Sequence, residues 1–219
     1  MTAAVIVLSG GMDSAVLLAD ALERKKTVTA MSFDYGSKHN ARELPMAAAM
    51  CGRLQVPHRI VDLPFINELF ASSLLPSGGE IPDGHYDALS MKSTVVPFRN
   101  GIFMSIAVGY AESIEAEEVL LGSHAGDHFI YPDCRPDFNS SFSQAALLGT
   151  DRQVRVRFPF AAMDKRDIGD LGRKLGVDFK QTWTCYKGRE IHCGTCGACR
   201  ERKYALRKEA GQDPTDYET

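Results

Sequence analysis

A chain of 219 residues is long enough to bury one sizeable core, and its 44% hydrophobic and 24% charged composition is that of an ordinary soluble domain. A net charge of −3 argues against broad, sequence-blind capture of nucleic acid. No apolar run approaches the ~20 residues a membrane span needs, and the apolar run at 3–8 is too short for a secretory signal, so the cytoplasm is the expected compartment.

Residues 3–8, Ala-Ala-Val-Ile-Val-Leu, form a continuous apolar run rich in β-branched side chains, which predicts a strand buried on both faces. A Ser-Gly-Gly-Met-Asp-Ser turn at 9–14 leads into a helix over 15–24. A strand is expected at 27–33, a helix at 42–54 and a third strand at 57–63. This alternation predicts a doubly wound parallel α/β sheet of Rossmann-like type. Residues 71–97, rich in Pro, Gly and Ser, read as a long loop of the kind that is usually functional or disordered. A helix follows over 100–114, a strand over 119–122 and an irregular stretch over 123–138. A helix at 138–148, a strand at 154–160 and a helix at 165–176 complete the main body. In the strand at 154–160, Arg155 and Arg157 share a face and read as exposed decoration. A basic helix is expected at 200–209, and the acidic tail at 213–219 is expected to fray.

The turn at 9–14 is the first motif with chemistry. Between a buried strand and a helix, backbone N–H groups and the positive helix end converge on one point. Paired glycines let the main chain approach an anion closely, and Ser9 and Ser14 add hydroxyl donors. A serine-capped glycine turn would account for that much. Asp13 would repel a phosphate unless a magnesium ion bridges the two.

The second motif is Cys185-x7-Cys193-x2-Cys196-x2-Cys199, which suits a closed tetrahedral site for a structural zinc ion. An iron–sulfur cluster is the rival occupant. Lys187, Arg189, Arg200, Arg202 and Lys203 flank it and read as compensation for the negative charge of four thiolates. His192 reads as a solvated neighbour rather than a ligand.

The string at 9–14 resembles the pyrophosphate loop of the N-type ATP pyrophosphatases, the adenine nucleotide alpha hydrolase-like enzymes that split ATP to AMP and pyrophosphate. Beyond it, Phe33-Asp-Tyr-Gly36, Val96-Pro-Phe-Arg-Asn100, Tyr131-Pro-Asp-Cys-Arg-Pro136 and the cysteine array resemble one family in particular. These are the 7-cyano-7-deazaguanine synthases, the nitrile-forming ligases of the queuosine pathway, and the resemblance runs nearly end to end.

The resemblance implies a carbon–nitrogen ligase. It would use ATP with Mg2+ to convert 7-carboxy-7-deazaguanine and ammonia to the nitrile, through an adenylated carboxylate and then an adenylated amide. It implies small-molecule substrates, no direct nucleic-acid or membrane partner, and a homodimer. The ATP segment would be Leu8, Ser9, Gly10, Gly11, Met12, Asp13, Ser14, Ala15, Val16, Leu17 and Leu18. Asp13 and Arg99 would be catalytic; Phe98, Arg99, Asn100, Tyr131, Asp133, Arg135 and Asp137 would contact substrate. The expected division is an ATP-using domain over 1–180 and a zinc-bound segment over 181–219. His124, His128 and Cys134 receive no role, although a packed or substrate-lining thiol suits Cys134. Two other readings compete: a tRNA-modifying or thiolating enzyme with the same adenylate chemistry, and a zinc-ribbon nucleic-acid-binding module. The first lacks a basic RNA-binding appendage here, and the second leaves the phosphate loop idle.

Overall fold

Every second residue of the first strand faces the same side of the sheet, and both sides are covered. In the computed structural model, which describes residues 2–24, 26–85 and 89–219, β1 (Ala3–Val7) lies at the centre. Val5 and Val7 pack into one core layer, while Ala4, Ile6 and Leu8 pack into another. The other strands are β2 (Thr27–Asp34), β3 (His58–Asp62), β4 (Glu118–Leu120) and β5 (Arg155–Arg157). They form a parallel five-stranded sheet in the order β3-β2-β1-β4-β5.

The helices are α1 (Met12–Glu23), α2 (Asn40–Leu54), α3 (Pro64–Leu69), α4 (Arg99–Ser113), α5 (Pro136–Leu148), α6 (Lys165–Lys174) and α7 (Gly197–Ala205). Residues of α4 and α5 share the layer of Val5 and Val7, and residues of α1, α2 and α6 share the layer of Ile6 and Leu8. The chain leaves β1 toward β2 on one side and later returns to β4 on the other. The C-terminal ends of β1 and β4 therefore flank the switch point where an open α/β sheet holds its ligand.

Several elements differ from the sequence expectation. The strand expected at 57–63 is β3, an edge strand with three exposed positions rather than one buried on both faces. The stretch 71–97 is anchored rather than loose: Leu74, Leu75, Ile81 and Met91 are buried, and Leu89–Thr94 forms a 3-10 helix. Residues 86–88 of that stretch lie outside the described residues. Helix α5 starts two residues early because Pro136 fits the first turn, where its missing N–H has no intrahelical partner. The basic helix starts at Gly197, directly on the cysteine array, and ends at Ala205.

The acidic tail does not fray. Tyr217 bridges His192, Thr219 Oγ1 donates to Cys193 O at 2.9 Å, and Lys203 Nζ donates to Thr219 O at 2.7 Å. Hydrogen bonds of this kind and the burial of Asp213 and Thr215 offset the entropy of ordering a terminus.

Candidate active site

The loop after β1 is shaped by one close approach. Gly10 adopts φ +94°, and a Cβ there would stand 2.2 Å from the Glu43 carbonyl oxygen, so only glycine lets the loop rest on α2. Ser14 Oγ donates to Gly11 O at 3.1 Å and accepts from Ser9 N at 3.2 Å; Ser9 Oγ accepts from Gly11 N at 3.0 Å. These bonds fix the loop, and no side chain caps α1, whose first N–H groups are left for an anion.

A cleft opens at this loop. It is lined by Leu8, Ser9, Gly11, Met12, Asp13 and Ser14 from the β1 end, and by Leu121, Gly122 and Ser123 beyond β4. Tyr35, His39, Asn40, Glu43, Arg99, Asn100, Asp127, Tyr131, Cys134, Lys165, Trp183, Tyr186 and Glu201 complete its main walls. Gly10 lies behind the loop. Ala15, Val16, Leu17 and Leu18 are buried in α1, supporting it from below.

Lys165, at the start of α6, spans this cleft. Its Nζ lies 2.7 Å from Asp13 Oδ2 and 2.9 Å from Glu201 Oε2. Burial opposes the ammonium charge, but Asp13, Glu201 and Asp127 together hold it well above the ordinary lysine range. The other oxygen, Asp13 Oδ1, is buried with no hydrogen-bond partner among the described residues. An orphaned carboxylate oxygen beside a phosphate loop fits a magnesium ion.

Arg99 opens α4 and lines the same cleft. Its guanidinium donates to Tyr35 Oη at 3.4 Å and Asn100 Oδ1 at 3.2 Å, and lies 5.7 Å from the Phe103 ring centre. It makes no ion pair with a carboxylate of the described residues, which leaves the fork open to an anion. Tyr131 Oη meets Thr94 Oγ1 at 3.2 Å and Tyr186 Oη at 3.1 Å, joining three segments at the cleft edge. Cys134 accepts from Asn100 Nδ2 at 3.1 Å; burial first, then Asp127 and Asp133, pushes its thiol far up, so it stays protonated.

The other expected substrate contacts do not line the cleft. Asp133 Oδ2 accepts from Asn100 N at 2.8 Å, so its carboxylate orients the first turn of α4. Phe98 is 54% exposed and packs edge-on against Phe138. Arg135 donates to His128 O on the surface, and Asp137 occupies the exposed first turn of α5. A short local string put all four beside residues that do line the cleft, but side-chain direction sent them elsewhere. Glu43, Lys165, Glu201 and Tyr186 were missed because no motif marks them. The capping pattern of Asp164 and Asp167 around Lys165 was the one visible hint, and it reports a helix start rather than a function.

The cysteine array packs against the same core. Cys185, Cys193, Cys196 and Cys199 are buried, and their sulfurs all lie within 4.8 Å of one another. Sulfurs ~2.3 Å from one tetrahedral zinc stand about 3.8 Å apart, and the Cys193–Cys199 pair is at 3.9 Å. A cubane iron–sulfur cluster, in which each thiolate binds a different iron, needs them farther apart.

The flanking cations make their direct hydrogen bonds and ion pairs with other groups, while Lys187, Arg189 and Arg202 remain close enough to interact with the charge of Cys193, Cys185 and Cys199. Arg202 is fully buried and donates to Thr215, Thr182, Thr184 and Phe179 O at 2.6–2.9 Å. Lys187 pairs with Asp83, and Arg189 with Glu218. His192 is not solvated: it is buried, its ring centre lies 4.2 Å from that of Trp183, and it accepts from Thr184 N. Trp183 N in turn donates to Gly10 O at 2.9 Å, tying the cysteine segment to the phosphate loop.

A family model described as queuosine biosynthesis protein QueC matches residues 3–210. A 7-cyano-7-deazaguanine synthase of Desulfotalea psychrophila is 66% identical over 217 residues, covering 99% of either chain. One from Porphyromonas gingivalis is 50% identical over 213 residues, covering 97% of this chain and 96% of that one. Among solved structures, the U34-tRNA thiolase NcsA of Methanococcus maripaludis aligns over 99% of this chain and 74% of that chain. Its TM-score is 0.52 at 11% identity, a likeness of fold alone.

Proposed function

The chain belongs to the QueC family of queuosine biosynthesis proteins, and from that premise we propose how its cleft makes a nitrile. It is a carbon–nitrogen ligase of queuosine biosynthesis that forms 7-cyano-7-deazaguanine from the 7-carboxy compound and ammonia. A carboxylate is a poor electrophile, so its oxygen first displaces pyrophosphate at the α-phosphorus of ATP, and ammonia then displaces AMP to leave an amide. Activation of the amide oxygen by a second ATP and loss of AMP gives the nitrile. Preorganised charge serves such steps better than a nucleophilic side chain.

The observation that carries this reading is the loop at the switch point and Arg99 lining one and the same cleft. Ser9, Gly10, Gly11, Met12 and Ser14 hold the phosphates, within an ATP segment that runs from Leu8 to Leu18. Asp13 takes Mg2+, which neutralises phosphate charge. Arg99 binds the substrate carboxylate, with Asn100 and Tyr131 beside it. Zinc on the four cysteines holds residues 181–219 as a segment against the domain over 1–180. Homodimer formation would cover the exposed apolar Phe98, Phe129 and Leu148, and the protein works in the cytoplasm on small molecules. The thiolating and nucleic-acid-binding readings give way to the family relation, which accounts for both motifs together.

The test is mass spectrometry of the protein incubated with ATP, magnesium, ammonium and 7-carboxy-7-deazaguanine. Nitrile should appear, with AMP and pyrophosphate rising only when the acid is present. AMP formation without nitrile would point to another carboxylate substrate.

A further inference from the structure

Among the described residues four carboxyl groups face the cleft, and they are not equivalent. Asp13 and Glu201 share the Lys165 ammonium. Asp127 Oδ2 accepts His124 N–H at 3.1 Å within the capping box of a 3-10 turn. The Glu43 carboxyl accepts no hydrogen bond from a described residue, and His39 Nε2 lies 3.7 Å from its Oε2. Its side chain is 15% exposed. Its Oε1 lies 3.7 Å from where a Cβ on Gly11 would stand, beside the loop on which the adenylates form.

The chemistry needs such a group. Ammonia brings three N–H bonds and the nitrile keeps none, so three protons leave one nitrogen. We infer that Glu43 is the catalytic base that takes protons from that nitrogen; the inference rests on the proposed nitrile-forming function. In the first half the nitrogen lone pair forms the C–N bond and the Glu43 carboxylate accepts an N–H proton. The C–O bond to the adenylate then breaks with its electron pair on AMP. In the second half the amide oxygen attacks the α-phosphorus of ATP, pyrophosphate leaves, and Glu43 accepts a second N–H proton as that N–H electron pair forms the C=N bond. Glu43 takes the last proton while that N–H electron pair becomes the third C–N bond and AMP departs with the C–O electrons. Between transfers the carboxyl returns its proton to water in the open cleft.

The surroundings support this assignment. Burial pushes the Glu43 carboxyl up to about 8, against the pull of Arg99, into the range where a base is most effective near neutrality. His39 is the other candidate acceptor in that corner, but burial and then Arg99 hold it down to about 3, so it takes a proton less readily. The groups facing this corner are His39 at the N-cap of α2, Arg99 on α4, Tyr35 after β2 and Tyr186 beside Cys185, with Asp13 and Lys165 lining the same cleft.

The test uses the full chain with Glu43→Gln and Glu43→Asp. Two assays separate the steps: pyrophosphate exchange into ATP driven by 7-carboxy-7-deazaguanine, which needs no N–H transfer, and conversion of the 7-deazaguanine amide to the nitrile. Starting from the amide removes the titration of ammonium itself. The wild-type amide rate should rise with pH and level off. Glu43→Gln should keep exchange, lose roughly 100-fold or more of amide turnover and lose the rising limb; Glu43→Asp should keep the limb at reduced rate. Equal amide turnover and an unchanged limb in Glu43→Gln would overturn the inference, and so would a parallel loss of exchange. If Glu43→Gln does not fold, an undiminished rate in Glu43→Asp overturns it instead. Failure of the wild-type chain to make nitrile from the acid would bring down the functional reading beneath it.

Discussion

Lys165 and Asp13 meet at 2.7 Å although 152 positions separate them, and the same ammonium also holds Glu201 on the helix that carries Cys199. One buried cation thus ties the phosphate loop, α6 and the cysteine segment together. Removing it while leaving its partners strands two carboxylates in a largely buried corner. Lys165→Met should cost about 3–5 kcal/mol in urea unfolding, and adenylate formation should fall at least ~100-fold as Asp13 loses its orientation. A stability change under about 1 kcal/mol would show that the pair is screened by solvent.

Gly10 offers a sharper test of the loop. A Cβ there meets backbone oxygen rather than a movable side chain, and φ +94° is strained for any other residue. Gly10→Ala should cost at least ~2 kcal/mol and abolish measurable ATP binding by calorimetry. Gly52, in the interior of α2 with open space around it, should behave oppositely. Gly52→Ala should raise stability by about 0.5–1 kcal/mol, because alanine loses less backbone entropy in a helix. Equal melting shifts for the two variants would refute the packing argument.

Trp183 reports on the cysteine site, since it is the chain's single tryptophan. Its ring is buried against His192, its Nε1 donates to Cys185 O at 2.8 Å, and its backbone N–H reaches Gly10 O. Stripping metal with a chelator, or Cys199→Ser, should shift Trp183 emission to the red and weaken ATP binding at least ~10-fold. Restored zinc should reverse both in the stripped wild type. Unchanged emission would mean the segment folds without metal.

The central strand, the glycine turn after it and the cysteine array were legible in the sequence because each is local: a run of apolar residues, a six-residue turn, a spacing. Arg99 and Tyr131 were reachable through resemblance. Glu43 was not, since its meaning arises where α2 packs on Gly10, and that contact leaves no periodic trace. The tail at 213–219 misled for a related reason. Its acidic composition reads as solvated, yet Asp213 accepts from Tyr217 Oη at 2.6 Å and the chain end closes over Cys193. Burial of polar side chains depends on partners that only the fold supplies.

His39 and Glu43 should also shape the pH dependence of stability. The buried His39 titrates near 3 instead of 6.5, so from 6.5 down to 3 the unfolded chain binds a proton that the folded chain does not, and stability falls on acidification. The Glu43 carboxyl titrates near 8 instead of 4.5, so between those values the folded chain holds the extra proton and stability falls as pH rises. Each effect is at most about 1.4 kcal/mol per pH unit. The two cancel between 4.5 and 6.5 and leave an acid limb below and an alkaline limb above. Urea unfolding across pH should show His39→Gln flattening the acid limb and extending the alkaline fall down to 4.5, and Glu43→Gln flattening the alkaline limb and extending the acid limb up to 6.5. Curves for either variant running parallel to the wild type would mean that the group titrates normally in the folded chain.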